Sequence, residues 1–458
     1  MNTTSLVVSA GINAALQTHL FPGDGNEAAG ILLCSSAPGE RLKLLANKWI
    51  PVPHAACQVR EPDRISWPGS SIEEAIDHGE AENLCVVLIH SHPGGYFDFS
   101  LVDDQSDRVT VRALLAAYGD RHGSAIMTPD GAIKARIYNH ALEASVVDLV
   151  MVPGADIALW WSDGDMRRPM AFTSEMTTWN SRLSAAVIGA SGTGSIVIEQ
   201  LARLGFGRIV AVEFDIVELR NLNRILNTTR ADAEIRLPKV EVMARAVALH
   251  RGAGVLIPVA SSIMNRDAII AAAGCDFLFC CVDTLEARYV ADLMTIAFLM
   301  PAIDMGVVIP VRRQNNRAFI ADVVGRIDYV YPGGSSLEER GVYCPETLRA
   351  EYLRFNAPAA HQDLLQEGYI KGMVEQAPSV ITLNMRAASA AVGELIARLY
   401  HFRHEPNRRY ARTLFSLAAG DEDFTAEDEF QSSPSPDLAR GNAEPLLGLP
   451  ALASRRKR

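Results

Sequence analysis

Residues 185–227 read AAVIGASGTGSIVIEQLARLGFGRIVAVEFDIVELRNLNRILN. The apolar run Ala186-Val187-Ile188 predicts a buried strand, after which Gly189, Gly192 and Gly194 let the chain turn tightly into a helix beginning near Ser195. Such a turn aims backbone N–H groups at an anion. Ile196, Val197, Leu201 and Leu204 form one apolar helix face, which ends at Gly205-Phe206-Gly207. A second strand, Arg208–Val212, follows and closes on Glu213, an acid placed to meet ribose hydroxyls. Taken alone, the glycine turn is equally an ordinary βαβ connection.

The charges that follow change that balance. A dinucleotide fold would place glycine where Ser191 stands, and no GxxxxGK[ST] run supplies a phosphate-binding lysine. Positive charge comes instead from Arg224, in Asn221-Leu222-Asn223-Arg224, and from Lys239, in Leu237-Pro238-Lys239-Val240. An arginine fork and a lysine point charge together suit a triphosphate. The buried run Asp276–Val282 delivers Asp283 to a strand end, where open parallel sheets place their ligands. Asp283 reads as a magnesium ligand, as the N-cap of a helix over Leu285–Leu299, or as both.

The ordered set GASGTGS, Glu213-Phe214-Asp215, NLNR, Lys239 and Asp283 resembles the ThiF/MoeB and ubiquitin-activating superfamily over residues 183–418. Ser191 for glycine and Glu213 for aspartate depart from its pattern while keeping polarity. The resemblance implies a Rossmann-like adenylation domain with a mainly parallel sheet. Gly189, Gly192, Gly194, Glu213, Asp215, Asn221, Arg224, Lys239 and Asp283 would bind ATP and Mg2+, with Arg224 and Lys239 also catalytic. It also implies an arginine reaching into a partner subunit's site, for which Arg167, Arg168 and Arg182 are unranked candidates.

A second site precedes this one. Asn26–Leu33 reads as a strand with Glu27 at its entrance, and Val86-Val87-Leu88-Ile89 reads as a buried strand running into His90-Ser91-His92. Residues two apart on a strand face the same way, so both imidazoles can meet one metal. Asp103, at the start of a helix opened by Ser100, can supply a third ligand. Two histidines and a carboxylate leave one position of a tetrahedral zinc open. The complete HxHx7SxxD string, with Glu27 upstream, resembles the JAMM (MPN-plus) metalloproteases, which remove ubiquitin-like proteins. The resemblance implies a cytidine-deaminase-like α/β domain with Zn2+ on His90, His92 and Asp103, Glu27 as general base and Ser100 stabilising the tetrahedral intermediate. Glu40 and Glu61 also lie upstream; Asp104 and Asp107 read as solvated or supporting residues.

Whole-chain properties bound these readings. At roughly 150 residues per domain, 458 residues hold about two to four. With 48% hydrophobic and 21% charged residues the chain is globular, and a net charge of −11 carries no nucleic-acid or membrane footprint. Cys34, Cys57, Cys85, Cys275, Cys280, Cys281 and Cys344 form no CxxC pair, which fits a reducing cytoplasm. The beginning of the sequence has no basic signal-like region, and no apolar run reaches the ~18 residues of a membrane span.

The expected division is a JAMM domain over 1–150, a connecting segment over 151–182, an adenylation domain over 183–418 and a disordered tail over 419–458. The tail follows from its acidic DEDFTAEDEF run, SSPSPD and the terminal RRKR. Around Tyr331–Cys344, where relatives often carry a PCxxC-type run, Ser336 and Glu339 take the cysteine places. Cys344 is then the remaining candidate to carry a thioester, in a loop that looks mobile. An apolar helix from Ala377 to about Tyr400 offers a homodimer face. Together the resemblances imply a cytoplasmic, homodimeric, bifunctional enzyme that processes or removes a ubiquitin-like protein and adenylates its C-terminal glycine, with a conjugating enzyme as a further partner. The alternatives are sulfur-carrier activation for biosynthesis and a non-catalytic scaffold that binds ubiquitin-like proteins.

Overall fold

Along Cys85–Ser91, Cys85, Val87 and Ile89 join one buried cluster, while Val86 and Leu88 join another. A strand apolar on both sides belongs in the middle of a sheet covered on both faces, and that is its place. The computed structural model describes residues 3–164, 168–314, 317–357 and 380–454. The chain divides into two units, one of Met1–Arg167, Ile296–Leu299 and Ser435–Arg458, the other of Arg168–Thr295 and Met300–Pro434.

The first unit is built on strands β1 (Ser5–Val7), β2 (Ala29–Ser36), β3 (Lys43–Pro51), a separate hairpin β4 (Val59–Glu61) and β5 (Arg64–Ser66), β6 (Cys85–Ser91), β7 (Arg121–Met127), β8 (Ile133–Asn139), β9 (Ala144–Val146), β10 (Leu149–Pro153) and β11 (Ile157–Trp161). Its nine-stranded sheet runs β11-β10-β1-β3-β2-β6-β7-β8-β9. The helix Ala10–Leu20, capped by Ser9, packs Leu16 and Leu20 on the Val87/Ile89 face. Ala75 of the helix Gly69–Glu82 and Leu114 of the helix Leu101–Ala117 pack on the Val86/Leu88 face.

Two boundaries differ from expectation. The segment read as a connection begins with β10 and β11, antiparallel partners in this sheet, with Trp161 buried. Isolated tryptophans in turn-rich sequence hide a strand pair, because only three residues separate the two strands. The tail read as disordered is structured through residue 454. In the first unit, Ala439, Leu446, Leu447 and Leu452 are buried, and Ser35 Oγ donates to the Ala439 carbonyl at 2.5 Å. Arg455–Arg458 lie outside the described residues.

The second unit contains β12 (Ser184–Ile188), β13 (Arg208–Val212), β14 (Leu256–Val259), β15 (Phe277–Cys280), β16 (Ala302–Val308), a two-stranded ribbon β17 (Val311–Gln314) and β18 (Arg317–Ile320), then β19 (Val324–Val330), β20 (Arg412–Ser416) and β21 (Asp421–Thr425). Its eight-stranded sheet runs β14-β13-β12-β15-β16-β19-β20-β21, parallel through the first five and antiparallel beyond. The acidic run forms the outer strand: its charges stay exposed while its backbone pairs with β20. Strand order reverses at β12, which lies between β13 and β15, so the carboxyl ends of these strands open the crevice where such sheets bind ligands.

The helix Ile381–Tyr400 buries Leu383, Ala387, Ala391 and Leu395 against the helix Gly192–Arg203 and strands β16 and β19 of its own unit. The apolar face expected to support a homodimer is thus covered within the unit, and Ala377–Ser379 lie outside the described residues. Asp304 and Asp328, opposite each other on β16 and β19, are fully buried. Arg288 Nε lies 3.1 Å from Asp304, and Arg412 Nε 2.8 Å from Asp328. Arg340 bridges Asp328 at 3.3 Å and Glu427 at 2.7 Å, tying the segment after β21 to the sheet. Buried carboxylates are tolerated only with such pairing.

Candidate functional site

Strand alternation carries His90 onto the Val86/Leu88 face, and His92 continues that line just past β6, where its N–H donates to the Met127 carbonyl at 2.8 Å. Their Nε2 atoms lie 3.0 Å apart. Asp103 approaches both, Oδ1 at 3.1 Å from His90 Nε2 and Oδ2 at 3.6 Å from His92 Nε2. His92 Nδ1 is 2.8 Å from the Tyr96 carbonyl. A carbonyl can only accept, so Nδ1 carries a proton and Nε2 is the nitrogen that would face a metal.

Ser100 caps the helix Leu101–Ala117: its Oγ accepts from Asp103 N at 3.2 Å, and Asp103 Oδ2 accepts from Ser100 N at 2.6 Å. This box fixes Asp103 and Ser100 as one piece. Glu27 is held from behind. Its N–H donates to the Glu61 carbonyl at 2.9 Å, and the next residue, Ala28, donates to Ser91 Oγ at 2.8 Å. Ligand atoms of Glu27, His90 and His92 lie within 4.8 Å of one another, the one such group among the described residues. Of the upstream acids, Glu27 is therefore the one brought to the histidines.

Burial pushes the Glu27 carboxyl up to about 7, opposed by His92 and reinforced by Asp103 and Asp63. Burial also acts to raise Asp103, but hydrogen bonds from His90, His92 and Ser100 outweigh it and hold that carboxyl well below its usual range. His92 is shifted upward, its burial outweighed by bonds to Asp103 and the Tyr96 carbonyl. Two acids near the same pair of histidines with opposite shifts are suited to different roles, one a ligand and one a proton carrier. Two neutral imidazole nitrogens and one carboxylate fit zinc with a position left open.

In the second unit the helix begins at Gly192 rather than near Ser195, so the glycine turn is shorter than expected. Gly189 has φ +89°, and a Cβ on Gly194 would lie 1.7 Å from the Gly189 carbonyl oxygen. Only glycine fits both places. Glu213 folds back on this turn, with Oε2 accepting from Ala190 N at 3.2 Å and Oε1 from Asp215 N at 3.1 Å. Lys239 Nζ donates to Asp215 Oδ2 and to Ser191 Oγ, both at 2.8 Å. Ser191, the departure from glycine, thus holds the lysine beside the turn.

Asn221 is buried, and its side chain accepts from Glu218 N at 2.9 Å, shaping the loop that carries Arg224. Arg224 Nη1 donates to the Arg220 carbonyl at 3.0 Å and to Asn223 at 3.2 Å, both in its own loop. Asp283 is exposed three residues beyond β15. Thr284, not Asp283, caps the next helix, accepting from Ala287 N at 3.4 Å. Arg168 donates to the Leu399 carbonyl at 3.1 Å and to His401, Arg182 is partly buried, and Arg167 lies outside the described residues.

A family model described as the ThiF family matches residues 170–427, more than half of the chain. The chain belongs to the ThiF family. A second model, for prokaryotic homologues of the JAB domain, matches residues 9–138, so a JAB-type domain precedes the ThiF domain as the two motif sets implied. The ubiquitin-like modifier-activating enzyme 5 of Oryza sativa subsp. japonica is 30% identical over 120 residues, 24% of this chain and 28% of that protein. The adenylyltransferase and sulfurtransferase MOCS3 of Danio rerio is 28% identical over 113 residues, 24% of each chain. The matches thus span only about a quarter of these relatives. The crystal structure of E. coli MccB with succinimide gives a TM-score of 0.43 at 16% identity, covering 57% of this chain and 68% of that one. Among the described residues no helix is long and apolar enough to cross a membrane.

Several side chains at these sites have roles that the motifs do not assign. In the ThiF domain, Ser195 Oγ accepts from Leu226 N at 3.2 Å and fastens the Arg224 loop to the glycine helix. Arg288 donates to the Val282 carbonyl at 2.7 Å and sets the turn that presents Asp283. Cys280 and Cys281 are buried, with thiols pushed well up by that burial. Cys344 is no part of a loose loop: it is the N-cap of the helix Pro345–Asn356, its N–H donating to Thr347 Oγ1 at 2.9 Å. The nearby cysteine places are closed by Ser336 Oγ, which donates to Glu339 Oε2 at 3.0 Å.

Proposed function

We propose that this chain is a bifunctional enzyme acting on the C-terminus of a ubiquitin-like or sulfur-carrier protein: a zinc (iso)peptidase in the JAB-type domain and an ATP-dependent adenylating enzyme in the ThiF domain. The observation that carries the reading is the convergence of Glu27, His90, His92 and Asp103 in a chain of the ThiF family.

His90, His92 and Asp103 would hold the zinc. Zinc bound there supplies a water that ionises near neutral pH. Glu27, with its carboxyl near 7, takes the proton of the attacking water and returns it to the leaving amine. The Ser100 hydroxyl oxygen accepts from Asp103 N, which leaves its own proton to donate to the oxyanion of the tetrahedral intermediate. In the ThiF domain the partner's terminal carboxylate attacks the α-phosphorus of ATP, forming an acyl adenylate and releasing pyrophosphate. N–H groups of the Gly189–Gly194 turn and Glu213 bind the nucleotide, Lys239 and Arg224 offset phosphate charge, and Asp283 takes the magnesium that neutralises the pyrophosphate.

One observation favours a domain that adenylates without forming its own thioester. Tyr343, beside Cys344, donates to Asp292 at 2.6 Å, two turns into the helix that follows Asp283. Glu351, seven residues after Cys344, accepts from Glu286 N at 3.0 Å at the helix start. The Cys344 end of its helix is therefore about 10 Å along from Asp283's strand end. This arrangement suits transfer of the adenylate to a partner's thiol or a sulfur donor. The test is to incubate the chain with a ubiquitin-like protein ending in glycine, and separately with its C-terminally extended precursor, with and without ATP. Cleavage without ATP, pyrophosphate release with ATP and no thiol-sensitive adduct is the expected pattern; an adduct lost in Cys344→Ala would restore the thioester route, and neither cleavage nor pyrophosphate release would overturn the proposal.

A further inference from the structure

The buried side chain with the least obvious reason to exist in the JAB-type domain is Arg136, a cation near the middle of the apolar strand β8. Its guanidinium reaches across to the helix Leu101–Ala117. Nη1 lies 2.6 Å from Asp104 Oδ1, Nη2 2.7 Å from Asp107 Oδ2, and Nε donates to Asp107 Oδ2 at 2.9 Å. Nε also donates to Ser124 Oγ at 3.1 Å, on the neighbouring strand β7, opposite Arg136 in register. The guanidinium carbon sits 3.8 Å from the centre of the Phe99 ring, the residue before Ser100. Tyr138 donates to Asp107 at 2.9 Å, and Ser124 donates to it as well.

A buried ion network of this kind is often no more stabilising than apolar residues of the same volume. Its geometry has another consequence. A helix turns about 100° per residue, so fixing Asp104 and Asp107 leaves one rotation for the turn that includes Asp103. Stacking on Phe99 fixes the chain entering that turn. β7 is paired with β6, with Ile126 opposite His90. Arg136 therefore ties the Ser100–Asp103 turn to the same rigid sheet that carries the histidines.

We infer that Arg136 is a positioning residue for the metal centre, setting the rotation and depth at which Asp103 and Ser100 meet His90 and His92. This rests on the zinc reading of the site. Groups that orient metal ligands typically contribute about 10–100-fold in metal affinity. A lysine keeps the charge but cannot reach two aspartates in a fork.

The test compares the full-length chain with R136K, R136M and F99L by zinc competition, by kcat and KM for cleavage of an extended precursor at saturating zinc, and by melting temperature. Expected are a zinc Kd raised about 10–100-fold in R136K and R136M, a lower kcat with KM within about twofold, and a smaller change of the same kind in F99L. Adenylate formation by the ThiF domain reports that each variant is folded. Unchanged zinc Kd and kcat in folded R136K and R136M would overturn the inference and leave the zinc reading standing. Failure of the unsubstituted protein to bind zinc would overturn both. A fall in melting temperature with zinc Kd and kcat intact would make Arg136 structural only, against the inference.

Discussion

In the JAB-type domain, side chains from a strand end and a helix start already lie 3.1–3.6 Å apart, with a loop carboxylate within 4.8 Å of the histidines. In the ThiF domain the corresponding groups are held by partners of their own: Lys239 by Asp215 and Ser191, Glu213 by backbone donors, and Arg224 by a carbonyl of its own loop. On the proposed function, the difference follows from the ligand each would take. A small divalent ion needs donors fixed to a few tenths of an ångström, which a sheet and a capped helix provide. A nucleotide brings several charges of its own, so its site can hold its cations in internal pairs and exchange them for phosphate.

The sharpest way to break this comparison is His92→Ala. Zinc should fall from about one per chain to none, and cleavage of an extended precursor should be lost; adenylation of a mature partner should persist. Loss of both activities together would mean the two sites are not independent. Glu27→Gln should keep zinc and lose cleavage. Next, Lys239→Ala and Asp283→Ala should each slow partner-dependent pyrophosphate exchange by on the order of 10²-fold, measured with zinc binding as the control. If Lys239→Ala were no slower than the parent, its internal pairing would be its whole role.

A smaller effect is expected from Gly194→Ala, whose Cβ would lie 1.7 Å from the Gly189 carbonyl oxygen. Opening the turn should lower the stability of the ThiF domain by about 1–3 kcal/mol and weaken ATP binding, as read by denaturant melts with and without nucleotide. The smallest concerns Asp292, which burial pushes up to about 6 despite hydrogen bonds from Tyr343 and Leu337. A carboxyl raised above its unfolded value near 3.8 destabilises the fold once both states are ionised. The domain should therefore lose stability as pH rises from about 4 to 6, and Asp292→Asn should flatten that slope in melting curves. An unchanged slope would place the charge elsewhere.

The motif residues were legible because their chemistry is local. HxH on a strand, Ser100 to Asp103 in one capping box and the glycines of one turn each lie within a few residues, and their geometry follows from strand and helix periods. What sequence concealed depends on distant partners. Arg136 pairs with acids about thirty residues away, and a second cation two residues after Lys134 in IKARIYN is the only sign that stretch offers. Charge alone groups Arg224 with Lys239, and the Arg220 carbonyl that holds Arg224 within its loop is not visible in NLNR. The acidic DEDFT run reads as solvated because composition cannot reveal that β20 offers it an unpaired edge. The apolar helix Ile381–Tyr400 looks like a free face for the same reason, since what covers it lies almost two hundred residues earlier.

The first unit draws on three separate stretches of the chain, and the last of them begins at Ser435. Ser35 and Asn47 have side-chain donors facing the Ala439 carbonyl, and Asn442 donates to the Ser36 carbonyl at 2.9 Å. During synthesis, then, the domain that starts first can be completed only after the ThiF domain has left the ribosome. Until that moment Ser35 and Asn47 remain without this carbonyl partner. A recombinant fragment stopped at residue 167 would preserve this incomplete state, and its poor behaviour would reflect a missing piece of the fold rather than a weak active centre.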